Sequence, residues 1–325
     1  MRENFYEKLV EILPPEHIYR DEPMKNHTTF RIGGPADWFV TPSTKEEIQK
    51  LMQLGASEKV DVYIIGNGSN LLVGDLGIRG MVIQIGRVFS EIRIEGESVY
   101  AMAGASLAKI AGKAYEAGLT GLEFAAGIPG TLGGAVTMNA GAYGGEMKDV
   151  LTDVEILDQE GQIRVLKAKE LELAYRYSKV PVNHWTVLGA FLQLKKGKKT
   201  DIKSAMDEYA LARRTKQPLE YPSAGSTFKR PEGYFAGKLI QDSGLRGARV
   251  GKAAVSVKHC GFVINEGDAT AKDVQSLIRQ IQQKVYGDSK EAKIRLQPEV
   301  RMIGEFEPVE PVSPMILRKK DEAAR

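Results

Sequence analysis

Apolar residues that recur every three or four positions predict amphipathic helices at several points along the chain. The clearest is Thr270–Tyr286, and Ser106–Ala117 begins with a possible serine cap and stops at a glycine. Ser43–Leu54 also begins with a serine, Lys203–Lys216 ends in basic residues that complement the helix dipole, and Ala236–Asp242 is shorter. The apolar face of the first helix is formed by Val274, Leu277, Ile278, Ile281 and Val285.

Shorter apolar stretches predict strands that alternate with these helices. Val60–Ile65 runs directly into a glycine-rich turn, and Val150–Asp158 and Gln162–Lys167 read as a hairpin. A strand that leads to a turn is predicted over Thr28–Pro35, and further strands are predicted at Ala36–Val40, Met81–Ile85, Glu91–Ile94, Ser98–Ala103, Val187–Lys195 and Ile294–Met302. This alternation predicts an α+β or α/β fold.

Glycines concentrate in two loops. From Gly118 to Gly145 there are nine glycines, and Glu123 is the only charged residue between these two. The second loop lies upstream, in Ile64–Val73. Glycine lets backbone N–H groups approach a ligand closely, and consecutive amides can form an anion-binding concavity. The pair of loops favours a large phosphate-bearing cofactor held from two sides, while the alternative of two ordinary tight turns stays open.

Composition narrows the class of protein. The chain is 42% hydrophobic and 27% charged, which is typical of a globular protein, and its net charge of +3 gives no reason to expect nucleic-acid binding. One cysteine excludes an internal disulfide and a multi-cysteine metal site, and four scattered histidines offer no metal-ligand spacing. No apolar stretch approaches a membrane span, and the amino terminus lacks the apolar core of a signal peptide. A cytoplasmic monomer without a metal or membrane insertion is the expectation.

Six motifs, in order along the chain, resemble those of the UDP-N-acetylenolpyruvoylglucosamine reductases. The resemblance covers roughly residues 20–304 and includes neither a dinucleotide-binding Gly-x-Gly-x-x-Gly nor a Walker A lysine. The motifs are Ile65–Leu72, Gly127–Gly144, Tyr175–Ser178, Ala224–Pro231, Ala236–Gly247 and Leu296–Arg301.

This resemblance implies an α+β fold of the vanillyl-alcohol-oxidase (PCMH-like) FAD-binding class. Two subdomains, 1–95 and 96–217, would hold FAD, and a carboxyl-terminal α+β domain, 218–304, would bind the substrate. Residues 305–325 would form an exposed tail.

The implied activity belongs to peptidoglycan precursor synthesis, and hence to cell-wall biogenesis, cell shape and cell division. NADPH reduces non-covalently bound FAD, which passes hydride to the terminal enolpyruvyl carbon of UDP-N-acetylglucosamine enolpyruvate and gives UDP-N-acetylmuramate. Negative charge then develops on the neighbouring carbon and its carboxylate. Such a site needs a cation for the carboxylate and a proton donor.

Three residues match the family's catalytic positions. Arg176 would bind the carboxylate, because a planar guanidinium suits a carboxylate bidentately. Ser226 would donate the proton, supported by Lys229, and Glu299 would be the acidic partner. Without the resemblance these would be a surface arginine, a turn serine and the ion-pair partner of Arg301.

The resemblance also implies the residues that bind the cofactor and the substrate. The cofactor residues are Ile65, Gly66, Asn67, Gly68, Ser69, Asn70, Gly127, Gly130, Thr131, Gly134, Asn139 and Gly141. The substrate residues are Tyr175, Lys229, Arg230 and Lys238. The chain lacks the longer form's inserted loop with its substrate-covering tyrosine, and Tyr175 is the expected substitute. Cys260 and His259 are interpreted as structural.

Two other functions remain possible from the residues. One is an FAD-dependent sugar or alcohol oxidase of the same fold, although Gly118–Gly145 holds no histidine or cysteine for a covalent flavin link. The other is a non-catalytic nucleotide-sugar sensor, which has no need of a proton donor such as Ser226.

Overall fold

The computed structural model describes residues 2–289, 292–309 and 315–317. The chain divides into two compact units, each built from three separate stretches of sequence. Unit 1 comprises Met1–Arg20, Trp38–Asn67 and Gly80–Arg213, and unit 2 comprises Asp21–Asp37, Gly68–Arg79 and Arg214–Arg325.

Helices and strands alternate along most of the described residues. The helices are α1 (Arg2–Val10), α2 (Lys45–Glu58), α3 (Leu107–Glu116), α4 (Leu132–Thr137), α5 (Lys199–Lys216), α6 (Ala236–Asp242) and α7 (Ala271–Asp288). The strands are β1 (Ile18–Pro23), β2 (Pro35–Val40), β3 (Val62–Ile65), β4 (Leu71–Val73), β5 (Ile78–Gln84), β6 (Ile92–Glu95), β7 (Ser98–Met102), β8 (Leu119–Thr120), β9 (Gly141–Ala142), β10 (Gly145–Glu146), β11 (Leu151–Leu157), β12 (Ile163–Lys167), β13 (Thr186–Gln193), β14 (Lys195–Lys196), β15 (Arg249–Val250), β16 (Ala253–Val255), β17 (Val263–Asn265) and β18 (Arg301–Ile303).

Unit 1 contains a five-stranded antiparallel sheet in the order β12-β11-β13-β7-β6. The predicted hairpin is confirmed, with Val154 of β11 opposite Leu166 of β12. Strands β3 and β5 pair in parallel, with Ile65 opposite Gln84. Apolar side chains from the sheet and from α2, α3 and α4 form one buried core.

Unit 2 contains a three-stranded antiparallel sheet, β15-β16-β17, with α7 packed beside β15 and β16. The predicted apolar face of α7 is confirmed, because all five of its residues are buried. Strand β4 pairs in parallel with β18, with Leu71 opposite Arg301. This pairing joins the segment after the first glycine loop to the carboxyl-terminal part of the chain.

Thr28–Pro35 was predicted as a strand that leads to a turn, and only the turn is present, whereas the strand predicted at Ala36–Val40 is confirmed by β2. Residues 28–34, all of them described, form a turn in which Thr28 Oγ1 donates to Ile32 O at 3.1 Å. Arg31 has a φ of 56° and Gly33 a φ of 139°, so neither has the extended conformation of a strand. The regular strand begins at Pro35.

Three smaller predictions also change. Thr44, not Ser43, caps α2, because its side chain accepts the N–H of Glu47 in a capping box. The predicted strand at Ile294–Met302 is confined to β18. Helix α4 lies inside the glycine-rich run, where no helix was predicted.

Some expectations concern the carboxyl-terminal tail, membranes and metals. Within the predicted tail, Val309 is buried and Ile316 pairs with Arg249, while 310–314 and 318–325 lie outside the described residues. None of the described helices is long and apolar enough to cross a membrane. A search of the described residues finds no cluster of three His, Cys, Asp or Glu side chains that could hold a metal.

Candidate active site

The two glycine-rich loops contact each other within unit 1. Asn67 Nδ2 donates to Pro129 O at 3.0 Å, and a Cβ added to Gly66 would lie 2.3 Å from Thr131 Oγ1. Gly66 directly follows β3, and Gln84 of β5 donates to its carbonyl at 3.3 Å. The parallel β3–β5 pair therefore fixes the start of the first loop beside the second loop.

The second loop is fixed by antiparallel backbone pairing around Thr131, which lies opposite Ser106, the confirmed cap of α3. Leu107 N–H donates to Gly130 O at 3.1 Å. In this kind of pair the N–H of Thr131 points away from Ser106. Neither that N–H nor the one of Gly130 has an acceptor in the described ranges, so both are available to a ligand.

A phosphate-bearing cofactor needs such amides at a surface that side chains do not block. Gly134, in the first turn of α4, has only Thr131 Oγ1 within 4 Å of an added Cβ, at 3.8 Å. The chain itself therefore does not require glycine at this position, whereas Gly66 must be glycine to pass Thr131. Available amides beside an unfilled Cβ position fit the diphosphate of FAD.

The rest of the first loop, residues 68–70, belongs to unit 2. Gly68 has a φ of 61°, and an added Cβ would lie 2.1 Å from His27 O, so only glycine fits. Asn70 Nδ2 donates to Glu299 O at 3.1 Å. The side chain of Asn70 thus fixes the backbone of a predicted catalytic residue.

Asn139 has no exposed surface, and its side chain is bonded to the protein. Nδ2 donates to Ala174 O at 3.0 Å and to Glu146 Oε2 at 2.7 Å, and Oδ1 accepts the Lys148 N–H at 2.9 Å. Asn139 therefore fixes the turn that follows Ala174, and its predicted role in the cofactor site stays a prediction.

Tyr175 and Arg176 form a two-residue turn between Ala174 and Tyr177, which exchange two backbone hydrogen bonds of 3.1 Å. Arg176 has a φ of 53° and donates through Nη2 to Gly141 O at 3.1 Å. Its guanidinium carbon lies 5.2 Å from the centre of the Tyr175 ring. Gly141, predicted to line the cofactor channel, thus orients the predicted carboxylate-binding arginine.

A short antiparallel pairing in unit 2 sets Glu299 opposite Thr227, the residue that directly follows Ser226. The Glu299 N–H donates to Thr227 O at 2.8 Å, and the Lys229 N–H donates to Gln297 O at 2.8 Å. Ser226 is exposed and Glu299 is half-buried. The pairing therefore joins the segment of Ser226 to the distant segment of Glu299, and the catalytic roles of the two residues stay predictions.

The other predicted substrate residues of unit 2 make local contacts. Arg230 Nε donates to Tyr234 O at 3.3 Å, and its guanidinium lies 4.0 Å from the centre of the exposed Phe235 ring. Lys238 forms an exposed ion pair with Asp242 one turn along α6. These contacts fix the side chain of Arg230, which is four residues after Ser226 in the sequence. Lys238 pairs with a residue of its own helix.

His259 and Cys260 are structural, as predicted. Cys260 is buried in the core of unit 2, and burial raises the pKa of its thiol. His259 Nδ1 accepts the Gly261 N–H at 3.0 Å, and burial lowers the pKa of the imidazole. A neutral ring is required to keep that hydrogen bond.

Sequence reasoning missed one cluster in unit 1. Arg213 of α5 lies against Gly127, near a stacked pair formed by Tyr143 and Tyr209. Nothing in the helical pattern singles out Arg213 from the adjacent Arg214, because the difference between them arises from tertiary packing.

Comparison with known proteins defines the class first. A family model described as an FAD-binding domain matches residues 36–167, which include both glycine-rich loops. A second model, the carboxyl-terminal domain of UDP-N-acetylenolpyruvoylglucosamine reductase, matches residues 217–303, which include Ser226 and Glu299. The chain is therefore an FAD-binding oxidoreductase of the predicted fold class.

Whole-chain relatives then give the family. The UDP-N-acetylenolpyruvoylglucosamine reductase of Agathobacter rectalis is 53% identical, with 94% of this chain and 100% of the relative covered. The enzyme of the same name from Caldanaerobacter subterraneus is 50% identical at the same coverage. The crystal structure of the Thermus caldophilus reductase is 38% identical, with a TM-score of 0.75 over 86% of this chain and 97% of that one.

The chain belongs to the UDP-N-acetylenolpyruvoylglucosamine reductase family. The predicted family, fold class and FAD cofactor are confirmed. The predicted domain limits at 95, 217 and 304 stay predictions, as do the roles of the individual site residues.

Proposed function

We propose that this chain reduces UDP-N-acetylglucosamine enolpyruvate to UDP-N-acetylmuramate, with NADPH as the reductant and FAD bound without a covalent link. The observation that supports the proposal is the backbone pairing of Glu299 with Thr227, which directly follows Ser226. Family membership supports the same reaction. No observation favours the oxidase or the sensor.

When bound, FAD takes two electrons from NADPH and delivers them to the carbon–carbon double bond of the substrate. The two glycine-rich loops would hold it, chiefly through backbone amides such as those of Gly130 and Thr131. The full set of residues proposed for this role is Ile65, Gly66, Asn67, Gly68, Ser69, Asn70, Gly127, Gly130, Thr131, Gly134, Asn139 and Gly141.

Arg176 binds the substrate carboxylate and stabilises the negative charge that develops there. A guanidinium is always charged and offers two parallel donors to a carboxylate. Its turn is held by Asn139 Nδ2 and by Ser178 Oγ, which donates to Thr137 O at 2.6 Å. Because these buried bonds already fix the turn, substrate binding does not have to order the guanidinium in each catalytic cycle.

Ser226 Oγ transfers its proton to the substrate carbon that carries the carboxylate. A serine hydroxyl is a weak acid, so the transfer needs charged neighbours. Glu299 pairs with Thr227, the residue after Ser226, and Lys229 lies three residues after Ser226 in the same segment. Glu299 orients the hydroxyl, and the Lys229 ammonium favours loss of its proton.

The remaining assignments follow the same proposal. Tyr175, with half of its surface exposed, covers the bound substrate in place of an inserted loop, and Arg230 and Lys238 contribute to substrate binding. NADPH is preferred to NADH, and the enzyme works as a cytoplasmic monomer without a nucleic-acid or membrane partner. The small net charge and single cysteine support this setting.

The test separates the two halves of the reaction. We expect Ser226→Ala to leave flavin reduction by NADPH within about twofold of wild type, while reoxidation by the enolpyruvyl substrate slows by at least about 100-fold. Stopped-flow absorbance of the flavin measures both rates. Ser223→Ala, in the same segment, should slow neither rate. Equal slowing of both half-reactions in Ser226→Ala would rule out the proton-donor role.

A further inference from the structure

Arg213 lies near the carboxyl-terminal end of α5, against the glycine-rich loop of unit 1. Its Cδ and Nη1 atoms are 3.3 and 3.5 Å from the position that a Cβ on Gly127 would take. The side chain is half-buried, whereas the adjacent Arg214 is exposed. The loop thus has a cation at its surface that no local motif indicates.

An aromatic stack borders this arginine. The rings of Tyr143 and Tyr209 are nearly parallel, at 3°, with centres 4.5 Å apart. Tyr209 precedes Arg213 by four residues on α5, so the two side chains share a helix face. Tyr143 and Gly144 form the tip of the β9–β10 hairpin with φ values of 53° and 87°, the signature of a type I′ turn. The hairpin, α5 and the Gly127 loop therefore meet around the guanidinium.

The charge of Arg213 is not balanced within the described residues. No carboxylate there pairs with it, and no hydrogen bond to its guanidinium is present in those ranges. Burial lowers the pKa of Arg213, with the nearby phenol of Tyr143 acting in the opposite direction. A desolvated, unpaired charge costs free energy until a counter-ion arrives. The dipole of α5 favours a cation at this end of the helix but gives no reason to bury it.

We propose that Arg213 binds a phosphate group of a nucleotide at the Gly127 loop, and that the Tyr143–Tyr209 stack shields this contact from water. The inference rests on the proposed function, which brings three diphosphates to the enzyme: those of FAD, NADPH and the UDP-sugar. Gly127 lies within the region that matches an FAD-binding domain, so the FAD diphosphate is the favoured partner.

The test compares Arg213→Gln with Arg214→Gln, a matched control that removes the same charge from the neighbouring exposed position. Each flavin-free protein is titrated with FAD and with riboflavin, which carries no phosphate, and flavin fluorescence reports the Kd. We expect Arg213→Gln to weaken FAD binding by about 10- to 100-fold and to leave riboflavin binding unchanged. The FAD affinity of Arg213→Lys should lie between those of wild type and Arg213→Gln, because lysine keeps the charge but lacks the planar guanidinium. Circular dichroism melts show whether each variant is folded.

A second titration identifies the source of the phosphate. If FAD affinity is unchanged but UDP or 2′,5′-ADP binds the flavin-loaded Arg213→Gln protein at least 10-fold more weakly by calorimetry, Arg213 serves a substrate nucleotide. If Arg213→Gln and Arg214→Gln bind FAD, UDP and 2′,5′-ADP alike, the proposal is wrong. These outcomes concern binding alone, so they are distinguishable from failure of the wild-type protein to reduce the enolpyruvyl substrate, which would overturn the proposed function.

Discussion

At the scale of single residues, the glycines of the two loops serve different purposes. Gly68 is required by the protein itself, because its φ is positive and a Cβ would meet the backbone of His27. Gly134 has open space where a Cβ would lie and no positive φ. The fold itself thus does not require glycine at position 134, whereas the proposed cofactor site does.

Gly134→Ala therefore tests the cofactor surface without disturbing the fold. We expect a folded protein whose melting temperature is unchanged or raised, because alanine favours the helical backbone by about 0.5–1 kcal/mol. Its Kd for FAD, measured by fluorescence titration, should rise at least about 10-fold. Gly112→Ala, also helical and open within 4 Å, is the control and should bind FAD normally. Wild-type FAD affinity in Gly134→Ala would show that this surface is outside the site.

His259 predicts a pH dependence of stability. Burial holds its pKa below the ordinary value of 6.5, so the unfolded chain binds the proton more readily than the folded chain. The free energy of unfolding should therefore fall as the pH drops below about 6.5 towards the folded-state pKa.

Urea denaturation at pH 7.5 and pH 5.5 measures this dependence. His259→Asn should lose stability less steeply between these values, because the asparagine Oδ1 can accept the Gly261 N–H without titrating. The exposed His184→Asn is the control and should retain the wild-type dependence. If the free energy of unfolding changes equally with pH in wild type, His259→Asn and His184→Asn, His259 is not the cause of the pH dependence.

At the scale of elements, the amino terminus of α7 shows what a local pattern omits. The Asp75 carboxylate accepts the N–H groups of Ala271 and Lys272 at 2.8 and 2.9 Å, in addition to the capping box of Thr270 and Asp273. Asp75 and α7 are far apart in sequence but belong to the same unit. The carboxylate satisfies two otherwise unpaired amides and complements the helix dipole.

Asp75→Ala should lower the free energy of unfolding by about 1–2 kcal/mol, because it removes the acceptor from both amides. Chemical denaturation with a circular dichroism readout measures the change. Asp207→Ala removes an exposed carboxylate that pairs with Lys203 one turn away, and should cost no more than about 0.5 kcal/mol. Similar losses in both variants would contradict the capping role.

Local patterns predicted those elements whose signals are local. Helices α3 and α7 followed from apolar periodicity and caps, and the β11–β12 hairpin from two strands around a turn. Helix α4 was missed because glycine disfavours helices, and tertiary contacts such as the hydrogen bond from the Gly133 N–H to Ala103 O must compensate. At Thr28–Pro35 a strand leading to a turn was predicted, but the positive φ of Arg31 excludes the strand.

At the scale of the whole molecule, neither of the two compact units is formed by one continuous stretch of the chain. Each unit combines three separate stretches of the chain, and no sequence motif indicates where these stretches begin and end. The motifs predicted the family and the cofactor, but not the pairing of Glu299 with Thr227 or the contact of Arg213 with Gly127. Each of these contacts joins residues that are distant in sequence, so neither segment alone predicts it.

The central claim is that this chain is an NADPH-dependent flavoenzyme that reduces an enolpyruvyl nucleotide sugar. The most direct measurement is the visible absorption spectrum of the purified, FAD-loaded protein under anaerobic conditions, with NADPH and then UDP-N-acetylglucosamine enolpyruvate added in turn. We expect NADPH to bleach the flavin band and the enolpyruvyl sugar to restore it, with one UDP-N-acetylmuramate formed per flavin reoxidised. A flavin that NADPH bleaches but only oxygen restores would contradict the claim.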